Sequence, residues 1–212
     1  PPTLVVGAGP QRPAAGTVSA GTAQAPVNQV TLSASGEAIG VTGVTVTAGG
    51  SVNDPTGVVG VRLYLDNGTT AGVVDAGDSL LAGPLTYRAA NGTVSFSGSP
   101  LTVGAQGTTA TLLVTYDFSA AGVSNGQTVT AGVTAVSGTG QTSLSAASVS
   151  GVPVGGNVLS VAVGGGLTVT SGPRNPAGQT VLSGTVRVPV LQVALQAGPQ
   201  EDLLVTSLRL TQ

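Results

Sequence analysis

The residues with the clearest chemical potential lie in the acidic loop, residues 66–78, which contains Asp66, Asn67, Asp75 and Asp78. Three of the eight acidic residues of the chain fall in this loop. Ca²⁺ takes about six to eight oxygen ligands in flexible geometry, so clustered oxygens on a glycine-containing loop suit it. Neighbouring carboxylates repel one another unless a cation lies between them. The pattern predicts a calcium site formed by these four residues. The alternative is a solvated turn whose aspartates cap backbone N–H groups.

The residue types that are missing exclude most catalytic chemistry. The sequence has no His, no Cys and no Lys, which rules out imidazole bases, thiolates and Schiff bases. The net charge of −2 gives no field that would attract nucleic acid. No apolar run approaches the about 18 residues of a membrane span. We therefore expect a protein that is not an enzyme and has no small-molecule substrate, nucleic-acid partner or transmembrane segment.

Alternation of apolar and polar residues with a period of two indicates strands along the chain. It places Ala110, Leu112, Val114, Tyr116 and Phe118 on one face of a strand, and Val129, Ala131, Val133 and Ala135 on one face of another. Further strands are predicted at residues 41–47, 61–66, 93–97, 143–149 and 158–163. Almost no helix is expected. Many short strands separated by Gly, Asn, Pro and Ser are typical of an all-β sandwich, here with about nine to twelve strands.

An internal repeat divides the chain. Gly9-Pro10 returns as Gly172-Pro173 and Pro26-Val27 returns as Pro189-Val190, each at an offset of 163 residues, which becomes 164 where Glu37 matches Glu201. We predict a β-sandwich repeat unit over residues 1–166 and a partial second repeat over residues 167–212. The glycine run 164–166 reads as a hinge between them, or as a tight crossing inside one continuous fold.

The partial repeat is predicted to supply the assembly surface. About 46 residues without disulfides are too few to bury their own apolar side chains. They can pack back on the first unit, dock into another copy in place of its N-terminal strands, or be part of a longer array. The predicted interface residues are Val186, Val188, Val190, Val193, Leu195, Val205, Leu208 and Leu210.

Two resemblances bear on this chain. The acidic loop is similar to the aspartate-rich calcium loops of dockerin and thrombospondin type 3 modules, with Asp66, Gly72, Asp75 and Asp78 at matching places and Thr70 where Asp or Asn is expected. The Leu63-Tyr64-Leu65-Asp66 strand, this loop and the later strands resemble the tandem immunoglobulin-like repeats of secreted bacterial surface and fibre proteins. The resemblance implies an elaborated immunoglobulin-like sandwich with an extracellular structural role, often stiffened by calcium.

These observations lead to one hypothesis and one alternative. We expect a structural subunit of an extracellular filament or surface layer. It would assemble head to tail with itself by β-strand complementation through the partial repeat. The alternative is a calcium-stabilised adhesin or binding module on the cell surface, monomeric or in a tandem array. Asn67 and Asn91 also match the N-glycosylation pattern, although both read as ordinary turn residues.

Overall fold

The computed structural model describes residues 1–164, 166–197 and 203–211, and for Ser99 the backbone alone. The chain forms two compact units, Pro1–Val163 and Gly164–Gln212. The boundary between them falls at the start of the glycine run, of which Gly165 lies outside the described residues. Nearly all of the regular structure is β, as the alternating pattern predicted.

The first unit contains twelve strands and one short helix. Their bounds are β1 Thr3–Ala8, β2 Gly16–Ser19, β3 Ala25–Ser35, β4 Ile39–Gly50, α1 Asp54–Gly57, β5 Val58–Leu65, β6 Ser79–Leu85, β7 Thr93–Val103, β8 Thr109–Phe118, β9 Thr128–Gly140, β10 Ser148–Ser150, β11 Val154–Gly155 and β12 Leu159–Ala162.

Two sheets make the first unit a β-sandwich. One sheet has the strand order β10-β1-β3-β8-β5-β6, and the other has the order β2-β12-β9-β4-β7 with β11 also paired to β9. Their inner faces share a single apolar core, which contains Leu32 and Leu112 of the first sheet and Val46 and Val133 of the second, all fully buried. The predicted all-β sandwich is confirmed.

The predicted inward faces are largely confirmed. Successive side chains of a strand point to opposite faces, so every second residue lies on the core side. Leu112, Val114, Tyr116 and Phe118 of β8 lie in the core, and Ala110 packs partly against it. On β9 the residues Val129, Ala131 and Val133 are buried.

Two details of the sequence pattern are wrong. Ala135 is exposed, because Thr45 and Val46 of β4 pair with Ala135 and Val133, and the extra residue between them is a β-bulge that reverses the facing of β9. Most of the predicted strand 143–149 is a turn, and strand structure begins only at Ser148. The carboxylate of Glu37 accepts hydrogen bonds from the backbone of Thr142 and Ser143, 2.6 and 2.9 Å away, and closes that turn.

Most neighbouring strands run antiparallel, but two pairs near the ends of the first unit are parallel. β1 pairs with β10, with Thr3 opposite Ser148, and β2 pairs with β12, with Gly16 opposite Leu159. The opening strands are therefore each held by a strand from the closing third of the unit.

The second unit contains one two-stranded antiparallel sheet among its described residues, formed by β13 Leu167–Ser171 and β14 Val193–Ala197. Among the described residues of the whole chain, no helix is long and apolar enough to cross a bilayer.

Candidate functional site

The β13–β14 pair reproduces the β1–β3 pair of the first unit. In the first unit Leu4 lies opposite Ala34 and Val6 lies opposite Leu32. At an offset of 163 residues, Leu167 lies opposite Ala197 and Val169 lies opposite Leu195. The sequence repeat is therefore also a structural repeat, with the same strand register.

The turns that leave these strands repeat as well, through one glutamine in each copy. In the first unit Gly9 N donates to Gln29 O at 2.8 Å, and Gln11 N donates to Gln29 Oε1 at 2.7 Å. In the second unit Gly172 N donates to Gln192 O at 2.8 Å, and Arg174 N donates to Gln192 Oε1 at 2.5 Å. A Cβ on either glycine would collide with the glutamine side chain, so glycine is required at both places.

Two positions between the paired strands have the same positive φ in both copies. Gly21 and Gly184 have φ values of 79° and 88°, and Gln24 and Arg187 have φ values of 53° and 59°. Positive φ is unfavourable for a residue with a side chain. In the first unit this conformation is held by Asp117, whose carboxylate accepts a hydrogen bond from Gln24 N at 2.8 Å. The second unit adopts it without a counterpart of that contact among the described residues.

The β1–β3 pair and the β13–β14 pair have the same residues on one face and different residues on the other. The residues that point into the core of the first unit are identical in the second copy: Leu4 and Leu167, Val6 and Val169, Val30 and Val193, Leu32 and Leu195, Ala34 and Ala197. The residues that point away all differ: Val5 and Thr168, Gly7 and Thr170, Thr31 and Ala194, Ser33 and Gln196. Only the face that contacts the core has the same residues twice.

That identical face is buried in the first unit and open in the second. Leu4 and Leu32 are 0% exposed, whereas Leu167 and Leu195 are 43% and 41% exposed. Val169 is 54% exposed, against 3% for Val6. We call this open surface the inward face of the β13–β14 pair. It consists of Leu167, Val169, Val193, Leu195 and Ala197.

The remaining predicted interface residues lie outside the strands of the second unit. Residues 203–211 match the start of β4 at an offset of 164, with apolar residues at the same spacing, but they form no strand. Val205, Leu208 and Leu210 are 40%, 55% and 67% exposed. Val186 and Val190 are 81% and 82% exposed, and Val188 is half-buried.

The copies of β2 and β4 form no strand among the described residues of the second unit, because their partner strands are not there. β1 and β3 pair with each other, so their copies can pair within the second unit. β4 pairs with β7 and β9, and β2 pairs with β12, all of which come later in the unit. Their copies therefore lack partners among the described residues of the second unit, and a strand with no neighbour leaves its backbone groups unpaired.

The acidic loop connects β5 to β6 and is closed by its own carboxylates. Asp78 Oδ1 accepts hydrogen bonds from Asn67 N at 3.0 Å and Gly68 N at 2.8 Å. Asp75 Oδ2 accepts from Thr70 N at 2.7 Å, and its Oδ1 accepts from Gly77 N at 2.8 Å. The hydrogen bond from the Gly77 amide is the main reason why the pKa of Asp75 is lowered. This is the geometry of a turn capped by aspartates.

Asp66 joins the acidic loop to the β1–β3 pair. Its Oδ2 accepts hydrogen bonds from Gln29 Nε2 at 2.5 Å and from Gly72 N at 2.8 Å. Gln29 is fully buried, and its other amide atom caps Gln11. One side-chain amide thus holds together the turn after β1 and the loop after β5.

The four predicted calcium ligands lie in the same loop, but their side chains have different partners. The Asn67 amide lies between Leu65 O and Gly77 O, at 2.9 and 3.1 Å, so its nitrogen faces both carbonyls and donates to them. Asp66 Oδ1 is buried without a hydrogen-bond partner. In the described part of the chain, no three acidic side chains come close enough together to hold a metal ion. Calcium binding stays a prediction.

The sequence analysis did not single out Gln29 or Gln192. A signal existed, because both are polar residues that precede an alternating apolar run at the same place in the repeat. Of the comparisons with known proteins, neither the family models nor the curated sequences gave a match to the chain. The open β13–β14 pair and the acidic loop are therefore the two candidate functional features of the chain.

Proposed function

We propose that this protein is a structural subunit of an extracellular filament or surface layer. Units join head to tail, and the β13–β14 pair of one unit is completed by strands of the next. The observation that carries the proposal is the inward face, which repeats the core-facing residues of β1 and β3 and is open to solvent. Open apolar strands of this kind associate unless they are covered.

The contrast between the two units supports a mechanical role. The first unit has a closed core shared by both sheets and is complete as a sandwich. The second unit has the strand pair that begins such a sandwich, and its described residues form no further strands to enclose that pair. A protein that carries, after one complete sandwich, the first strand pair of another is suited to building arrays.

The test compares the full chain with residues 1–163 by size-exclusion chromatography with light scattering and by negative-stain electron microscopy. The shorter chain keeps the closed core and is expected to be monomeric. The full chain is expected to form larger species, with filaments visible at high concentration. Larger species from the shorter chain would contradict the proposal.

Matched point variants make this test specific for the inward face. Leu195→Asp places a charge on that face and is expected to abolish association of the full chain. Gln196→Asp places the same charge on the opposite side of β14 and is expected to leave association unchanged. Equal effects of the two variants would mean that another surface drives assembly.

As a subsidiary proposal, Ca²⁺ binds the acidic loop and stiffens the first unit. The support is that Asp66, Asn67, Asp75 and Asp78 lie in one loop and that Asp66 Oδ1 is a buried acceptor without a partner. A buried carboxylate oxygen left unpaired is costly, and a bound cation would satisfy it.

A further inference from the structure

The question that the proposed function leaves open is what covers the inward face of the β13–β14 pair. In the first unit, the equivalent face lies against the core, β3 pairs with β8, and β1 pairs with β10. Because all five inward residues are identical in the two pairs, the cover must present the same shape and the same apolar surface. The cover is therefore a sandwich core of this protein's own kind.

An intact second copy of the chain can supply that core only by exchanging its own strands. Its place for a strand pair is already filled by its own β1 and β3, which bury Leu4 and Leu32 completely. To receive β13 and β14, the copy would have to release β1 and β3. Since the inward faces are identical, the exchange would expose as much apolar surface as it buries. Each chain has two such strand pairs and one place to seat them, so exchange among identical chains always leaves one pair per chain uncovered.

The segment after β14 indicates a different source. Leu203, Val205, Leu208 and Leu210 fall at the positions of Ile39, Val41, Val44 and Val46, the first four core-facing residues of β4. The spacing includes the irregular step between Val41 and Gly43, where the register of β4 shifts. The pattern of a second unit thus continues past β14 in the order that the first unit follows.

We infer that the inward face is covered by the remainder of a second sandwich in the same polypeptide, with strands equivalent to β4–β12 following residues 203–211 along the chain. This inference rests on the proposed function, because it specifies how one structural unit is completed by the next. It assigns the β13–β14 pair the role of the first two core strands of that next unit. It also assigns Gln192 a partner, an acidic residue at the position of Asp66.

The inference is tested by supplying the missing strands. Gln212 corresponds to Ala48 at the offset of 164, so residues 49–163 are appended directly after Gln212 of the full chain. Hydrogen exchange measured by mass spectrometry is expected to show slow exchange at residues 167–171, 193–197 and 203–211 in the extended chain. The same residues are expected to exchange fast in the original chain at low protein concentration, where that chain is monomeric. The extended chain is also expected to be monomeric.

Two controls make the result specific. In the first, the appended residues that correspond to Leu112 and Val114 are both replaced by Asp (L112D and V114D), and the first unit is left unchanged. In this extended chain, β14 is expected to exchange fast. The second is Gln192→Leu, which is expected to lower the melting temperature of the second unit in the extended chain. In the original chain it is expected to leave the melting temperature of the first unit unchanged, because the first unit contains Gln29 and Asp66 of its own.

The first unit of the extended chain reports whether that protein is folded, through slow exchange at β3. Slow exchange at β3 together with fast exchange at β14 would overturn the inference. Association of the extended chain as strong as that of the original chain would also overturn it, since the inward face would then still be open. Either result leaves the proposed function standing if association of the original chain still depends on Leu195.

Discussion

Gln29 of β3 and Asp66 of the acidic loop are joined by a hydrogen bond of 2.5 Å from Nε2 to Oδ2. The two residues are 37 positions apart, and the bond connects the β1–β3 pair to the loop between β5 and β6. Gln192 repeats the position and the local contacts of Gln29, but the described residues of its unit form no strands that would present an equivalent of Asp66.

This relationship predicts that Gln29→Leu destabilises the first unit. The substitution leaves a carboxylate oxygen and the Gln11 amide without their partner, and we expect a loss of about 2–3 kcal/mol in the free energy of unfolding. Urea denaturation measures it. Gln192→Leu in the same chain is the matched control, with an expected change below about 0.5 kcal/mol. Similar losses from both variants would show that the contact to Asp66 contributes little.

A second prediction uses the repeated leucines. Leu4→Ala removes a fully buried side chain and is expected to cost about 2–5 kcal/mol of stability, measured by denaturation of the first unit. Leu167→Ala makes the same change at the equivalent, open position and is expected to cost less than about 0.5 kcal/mol. If Leu167→Ala were as costly as Leu4→Ala, the inward face would already be covered within a single chain.

A third prediction concerns the dependence of stability on pH. Asp54 is 1% exposed, and burial raises its pKa above the ordinary value of 3.8. Its contribution to stability is fully present below pH 3.8 and is lost as the pH rises through the raised pKa. We therefore expect Asp54→Asn to gain stability relative to the unsubstituted protein over that pH interval. Chemical denaturation across a pH series measures the difference.

Asp75 provides a control, because its pKa is shifted in the opposite direction to that of Asp54. Hydrogen bonds from Gly77 and Thr70 lower its pKa, so its contribution is present above the ordinary pKa and is lost as the pH falls through the lowered one. Asp75→Asn is expected to be less stable than the unsubstituted protein at neutral pH, and the difference is expected to shrink in acid. A parallel pH response of both variants would rule out this assignment.

A fourth prediction tests calcium. If Ca²⁺ binds the acidic loop, the melting temperature of residues 1–163 is expected to rise with Ca²⁺ concentration, because a ligand that binds only the folded state stabilises it. Asp75→Ala and Asp78→Ala are expected to lower the melting temperature without Ca²⁺, since both carboxylates accept backbone hydrogen bonds. The decisive readout is therefore the response to Ca²⁺, which both variants should lose. Glu37→Ala, outside the loop, should keep it. No response in the unsubstituted chain would favour the capped turn.

The sandwich could be predicted because the alternation of apolar and polar residues that defines a strand is a local pattern in the sequence. Leu112, Val114, Tyr116 and Phe118 recur at every second position, and this period is enough to define a core-facing side of β8. The facing of Ala135 could not be predicted, because the bulge in β9 depends on how that strand pairs with β4. The turn at residues 142–143 depends on Glu37, more than 100 positions away. Contacts of this kind leave little trace in the period of a sequence.

The candidate site was predicted in outline only. The sequence showed that residues 167–212 repeat the start of the chain, and it marked them as apolar. It did not separate Leu195, which lies in a strand, from Val186 and Val190, which do not. Whether a repeated segment forms a strand depends on whether its partner strand is present. The copies of β1 and β3 find each other, whereas the copies of β2 and β4 need strands from later in a unit.

The parallel pairing of β1 with β10 and of β2 with β12 has a consequence for a unit under tension. A pull that draws β1 toward its amino end and β12 toward its carboxyl end would slide these strands along their parallel neighbours. The inter-strand hydrogen bonds would then be strained together instead of opening one after another like a zip. We expect rupture in that geometry to require a higher force than sequential opening, which would suit the proposed structural role.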